Sequence, residues 1–229
     1  MIVKARKIRA KGRKIPYRAT RFWENLNKRV YRGYGQYNLP PMLPCTQEAV
    51  DAWIPYTRID EVTPQMMSRI GVHFWVRQEC LEACWEAPDS IGERIKMFGA
   101  VASPAFFMPG GDAPGAICLY NAYRSSWLAR YWREMGINII PSLYWDQVSL
   151  ARYAFIGCPE GSIYTVSYSA MRKNGVSEAI FMDGMEIILE VLRPKELLFY
   201  GEIPEKYRDI STIMRSSFRV KRVRATLPK

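Results

Sequence analysis

From residue 70 onward, short apolar runs alternate with longer amphipathic stretches, and this alternation restricts the chain more than any other feature. Runs such as Ile70-Gly71-Val72-His73-Phe74-Trp75-Val76, Ala100–Ser103 and Ile137–Ile140 are too short for helices and read as the buried strands of a parallel sheet. Between them lie helical patterns at Gln78–Trp85, Ile91–Met97 and Leu119–Met135, the last ended by Gly136 as a left-handed cap. Further on come a helix at Gln147–Tyr153, a strand at Ser162–Val166, a helix at Ser177–Leu192 stopped by Pro194, and a strand at Glu196–Tyr200. Ser90 and Glu93 have the spacing of a capping box. The expected fold is α/β, with a mostly parallel sheet of about five strands and intervening helices. It is either an open sheet or a reduced β/α barrel, because a complete eight-unit barrel needs more chain.

Charge divides the chain differently. Residues 1–32 carry twelve Lys or Arg against one acid, Glu24, and residues 215–229 carry six basic residues and no acid. The stretch between them has 15 basic and 21 acidic residues. Four segments follow: a basic, aromatic-rich arm (1–37), a Pro-rich connector and lead-in (38–69), the α/β domain (70–214) and a basic tail (215–229). The arm and tail offer Lys4, Arg6, Lys7, Arg9, Lys11, Arg13, Lys14, Arg18, Arg21, Arg219, Lys221, Arg222 and Arg224 as phosphate contacts, with Tyr and Trp residues interleaved for stacking.

Several classes are disfavoured. The longest nearly uncharged stretch, 97–124, is broken by Pro and Gly, so no membrane span or membrane partner is expected. Residues 1–14 lack the apolar run of a signal peptide, so a cytoplasmic protein is expected. Five cysteines without a C-x-x-C pair, and a single histidine, His73, give no basis for a disulfide framework, a metal site or a cofactor. Phosphate-loop and hydrolase motifs are absent.

In parallel α/β folds, reactive groups gather at the carboxyl ends of the strands. Here that rule selects Arg77, Ser103, Ser142, Tyr144, Trp145, Asp146, Ser167, Tyr168, Gly201 and Glu202. Asp146 and Glu202 are the catalytic candidates, as an acid/base pair; the competing reading makes Asp146 a helix cap and Glu202 a surface residue. In Tyr120–Arg133, the residues Tyr120, Tyr123, Trp127 and Tyr131 form a core-facing stripe. Asn121, Arg124 and Ser125 lie off the stripe, in what reads as the helix's first turns, where they could hold an anion; a structural Arg paired with a strand-end carboxylate explains the same spacing.

Four pieces, in order, resemble an uncharacterised bacterial and phage family, number 4417 in the domain-of-unknown-function series. They are Ser103-Pro104 with Phe106; Tyr120-Asn121-Ala122-Tyr123-Arg124; Gly136-Ile137-Asn138-Ile139-Ile140-Pro141 with Trp145; and Gly157-Cys158-Pro159 with Ser162, followed by Tyr200-Gly201. The chain departs from the family pattern at Ala105 and Tyr144. The resemblance implies a compact α/β domain, association with phages or other mobile elements, and Asn121, Tyr123, Arg124 and Trp145 as matching residues, which join Ser125 as the anion-binding candidates. It carries no activity.

Three functions fit these readings. The first is a nucleic-acid-binding accessory protein of a mobile element, binding DNA or RNA non-specifically, with a protein partner for its acidic body. The second is an enzyme with a strand-end pocket for a phosphorylated or nucleotide substrate. The third is a phage protein that binds a host factor.

Overall fold

Each apolar run picked out by the sequence forms a strand, and two more strands join them. The strands are β1 (Ala52–Pro55), β2 (Ile70–His73), β3 (Ala100–Ala102), β4 (Ile139–Ile140), β5 (Ile163–Val166), β6 (Glu196–Phe199) and β7 (Ser211–Ile213). The computed structural model describes residues 24–33, 35–45, 50–106 and 114–215. It separates into two units, Met1–Val30 and Tyr31–Lys229. The described part of the first holds one 3-10 turn, Glu24–Asn27. All the described strands belong to the second.

Every strand pairing is parallel, and the strands lie side by side in chain order, β1 to β4 in one sheet and β5 to β7 in another. Two thin seams join the sheets. At one, Ser142 bridges Thr165; the Leu143 N–H donates to the Thr165 carbonyl and the Thr165 N–H to that of Pro141, both at 2.9 Å. At the other, the Trp53 N–H of β1 donates to the carbonyl of Arg215, just past β7, at 2.8 Å. First and last strands thus meet, and the α/β fold takes the form of a reduced β/α barrel.

The barrel interior is a plug of Trp53, Ala100, Ala102, Ile140, Ile163, Leu198 and Met214. Gly71 faces Trp53, and a Cβ at that position would lie 2.5 Å from the indole, so only glycine leaves the ring its space. Outside, α2 (Gln78–Glu86), α3 (Pro88–Ile95) and α4 (Gly115–Glu134) cover the four-stranded sheet through Trp85, Ile95, Trp127 and Trp132. On the three-stranded side, α5 (Val148–Phe155), α6 (Tyr168–Lys173) and α7 (Glu178–Leu192) cover β5 and β6 through Met171, Phe181 and Met185. A single short turn, α1 (Pro64–Met67), precedes β2.

Where structure and sequence reading differ, the reasons are local. β1 comes from the stretch read as Pro-rich lead-in: four residues, Ala-Trp-Ile-Pro, suffice once a neighbouring strand pairs with them. β7 is polar and partly exposed, so it has no apolar run to reveal it. α3 starts at Pro88, a favoured first helical residue, which places Ser90 and Glu93 inside the helix and leaves no capping box. α4 starts a turn earlier than the aromatic stripe suggests, at Gly115. Gly136 does take the left-handed conformation, with φ 87°.

Candidate functional site

The carboxyl ends of β2, β4 and β6 open onto a cavity of about 520 Å³. The segment leaving β2 supplies Phe74, Trp75, Val76 and Arg77, and α2 adds Gln78 and Leu81. Ala105 after β3, Tyr144 after β4 and Tyr200 after β6 form further walls. The short α6, which follows β5 and is capped by the Ser167 hydroxyl, contributes Ser169, Ala170 and Lys173, with Asn174 just beyond it. Among the described residues the lining holds two cations, Arg77 and Lys173, and no carboxylate. Both side chains are exposed, and among the described residues neither has an ion-pair partner.

Below the cavity the strand ends turn polar. His73 is fully buried, its ring 4.1 Å from that of Tyr200, and neither ring nitrogen has a hydrogen-bond partner among the described residues. Burial lowers its pKa to about 3, so the imidazole is neutral. The Thr165 hydroxyl donates to Ser142 Oγ at 2.7 Å, and the Ser142 N–H donates to Ser103 Oγ at 3.0 Å. Tyr144 is buried, and that burial pushes its phenol well above the ordinary value. The Trp75 indole N–H is buried without a partner among the described residues.

Asp146 is 6% exposed, and neither of its oxygens has a hydrogen-bond partner on another described residue. Burial raises its pKa to about 6, with its own backbone amide opposing the shift. Its charge reaches Tyr144 and the buried Cys118 of α4. Glu202, the other carboxylate candidate, is exposed on the loop after β6, where its backbone N–H donates to Ser169 Oγ. Among the described residues no contact joins the two carboxylates.

The Asn121–Ser125 group sits inside the fold. Arg124 is 7% exposed, pairs with Glu82 of α2 at 2.5 Å, donates to Asn121 Oδ1 at 2.5 Å and lies 3.9 Å over the Phe106 ring. The strand-end carboxylate Asp146 is therefore not its partner. Ser125 Oγ donates to the Asn121 carbonyl and accepts from the Phe106 N–H. Because α4 starts at Gly115, these residues stand beyond its free N–H groups. Tyr123 packs edge-on against Trp85, and Trp145 is buried, donating to the Ile180 carbonyl and lying so close to α7 that residue 184 has no room for a Cβ.

Strand-end reasoning therefore finds Arg77 and Tyr144 but misses Lys173, Asn174, Trp75 and Tyr200. The missing signal is α6, whose helical turn after β5 carries Lys173 back over the mouth. A larger groove of about 710 Å³, with Phe155, Ile156, Pro159 and Val191 among its walls, lies beside the loop that enters β5 and away from the strand ends. Among the described residues no cluster of three or more His, Cys, Asp or Glu is placed to hold a metal ion, and no helix is long and apolar enough to cross a membrane. The basic residues Lys4 to Arg21 and Arg219 to Arg224 lie outside the described residues.

Comparison with known proteins gives two findings. The model of a family described as "Domain of unknown function (DUF4417)" matches residues 31–217. The chain is also similar to proteins named "Gene 1 protein" of Mycobacterium phages D29 and L5, 31% identical in each case over 133 residues, 58% of this chain. That stretch covers 49% of the D29 protein and 58% of the L5 protein, so the chain spans roughly half the length of these relatives. No solved structure matches it.

Proposed function

The chain belongs to the family described as a domain of unknown function (DUF4417), and from that premise we propose that it is a nucleic-acid-binding accessory protein of a phage or other mobile element. Its basic ends neutralise phosphates, and its acidic body serves a partner. The observation that carries this reading is the segregation of charge: the two ends hold 18 of the 33 basic residues and one of the 22 acids. Such contacts read no sequence, so the binding is non-specific and falls steeply with salt.

The test is a salt series with the full chain on single- and double-stranded DNA and RNA, beside a variant with Lys4, Arg6, Lys7, Arg9 and Lys11 changed to Gln. On duplex DNA the variant's log–log salt slope is expected to be shallower by about 4.5, near 0.9 for each phosphate it no longer neutralises. No binding by the full chain at low salt, or an unchanged slope, overturns the reading.

Asp146 favours a second reading, an enzyme acting on a phosphorylated or nucleotide substrate at the strand ends. A buried carboxyl whose oxygens have no partner on another described residue, with a pKa of about 6, suits proton transfer near neutral pH. A pH–rate profile with an arm near that value, lost in Asp146→Asn, supports it; an unchanged profile overturns it.

A further inference from the structure

We propose that the cleft at the barrel mouth binds a nucleoside monophosphate, free or as the terminal unit of a strand. Arg77 and Lys173 hold its phosphate, and Trp75, Tyr144 and Tyr200 form the wall for its base. Binding there requires neither the basic ends nor Asp146 as a proton carrier.

Charge is the first support. Residues 33–214 carry more acids than bases, yet among the described residues this cavity is lined by two cations and no carboxylate. Elsewhere in the body the guanidinium groups of Arg58, Arg69, Arg94 and Arg124 are each held by a carboxylate. Arg77 and Lys173 have no such partner among the described residues, so their charge is available to a ligand. Arg and Lys side chains bind a phosphate by charge-assisted hydrogen bonds, and two of them in one cavity set a small anion's position.

The walls narrow the ligand further. Trp75, Tyr144 and Tyr200 in the lining offer aromatic surface to a planar base, whichever base it is. At about 520 Å³ the cavity falls within the range of small-molecule sites, about 300–1,000 Å³. A bare phosphate would leave the aromatic wall idle, and an uncharged nucleoside would leave both cations idle.

The experiment is calorimetric titration of the full chain, at salt high enough to silence the basic ends, with AMP, CMP, GMP and UMP, with adenosine, with inorganic phosphate, and with 5′-phosphorylated and 5′-hydroxyl oligonucleotides. At least one mononucleotide is expected to bind about tenfold or more tighter than phosphate or adenosine, with Arg77→Ala and Lys173→Ala each weakening it about tenfold. Both residues are exposed, so neither change is expected to disturb folding. Arg193→Ala, at an exposed ion pair away from the cavity lining, leaves the affinity unchanged. The variant with five N-terminal basic residues changed to Gln keeps mononucleotide binding even if it loses polyanion binding, which separates this proposal from the accessory-protein reading. A 5′-phosphorylated oligonucleotide binding more tightly than the mononucleotide assigns the site to strand ends; the reverse assigns it to free nucleotides. No mononucleotide binding at about 1 mM, the weak end of specific affinity, or equal affinity in the Arg77→Ala/Lys173→Ala double variant, overturns the proposal.

Discussion

The plug around Trp53 and the mouth above it are built from neighbouring residues of the same strands, yet they are opposite in character. In the plug Trp53, Ile163, Leu198 and Met214 pack without a polar side chain among them, and Gly71 gives up its side chain to make room. Two residues along β2, His73 is buried with both nitrogens unpartnered among the described residues; Trp75 and Asp146 add three more orphaned polar atoms. Each such group costs about 1–3 kcal/mol. The difference teaches that stability is drawn from the lower interior and given up at the mouth, where the unpartnered polar groups gather.

If that division is right, the largest effect comes from emptying the plug. Trp53→Ala is expected to lower the unfolding free energy by about 3–5 kcal/mol in urea titration, the range for large aromatic truncations. A loss under about 1 kcal/mol would mean the interior is not where stability resides. At the mouth, removing a charge should help. Burial favours protonated Asp146, so its stabilisation is complete below the ordinary value of 3.8 and lost as pH rises through about 6. Asp146→Asn should remove that decline, a gain of as much as about 3 kcal/mol at pH 8 relative to pH 4. His73 runs the other way: its lowered pKa gives stability present above 6.5 and lost as pH falls toward about 3. His73→Phe should therefore hold stability on acidification, worth about 2 kcal/mol by about pH 5. The smallest effect lies outside both regions. Arg193, which ends α7 at φ 43°, is expected to gain about 1 kcal/mol when changed to Gly, less the few tenths of its exposed pair with Glu160.

The same division explains what could be read from the chain. β2 to β6 were legible because burial on both faces demands unbroken apolar runs, as in Ile163-Tyr164-Thr165-Val166. Barrel closure was not, since it rests on β1, four residues ending in proline, and on β7, whose Ser-Thr-Ile has no periodicity to notice. The family was legible from the order of its weak pieces, and residues 31–217 match it. Arg124 drew attention as an anion holder because spacing reveals nothing of Glu82, which packs against it from 42 residues earlier in the chain. Arg77 and Tyr144 follow from the strand-end rule, whereas Lys173 needs the unanticipated turn of α6.

The two seams of the barrel have a mechanical consequence. Four strands form one arc and three the other, joined on one side by a single bridge at Ser142 and Thr165 and on the other by the Trp53–Arg215 hydrogen bond. Arg77 belongs to the first arc and Lys173 to the second. A phosphate gripped by both would act as a clasp across the parting line, making it harder for the halves to spread and raising the melting temperature with ligand concentration.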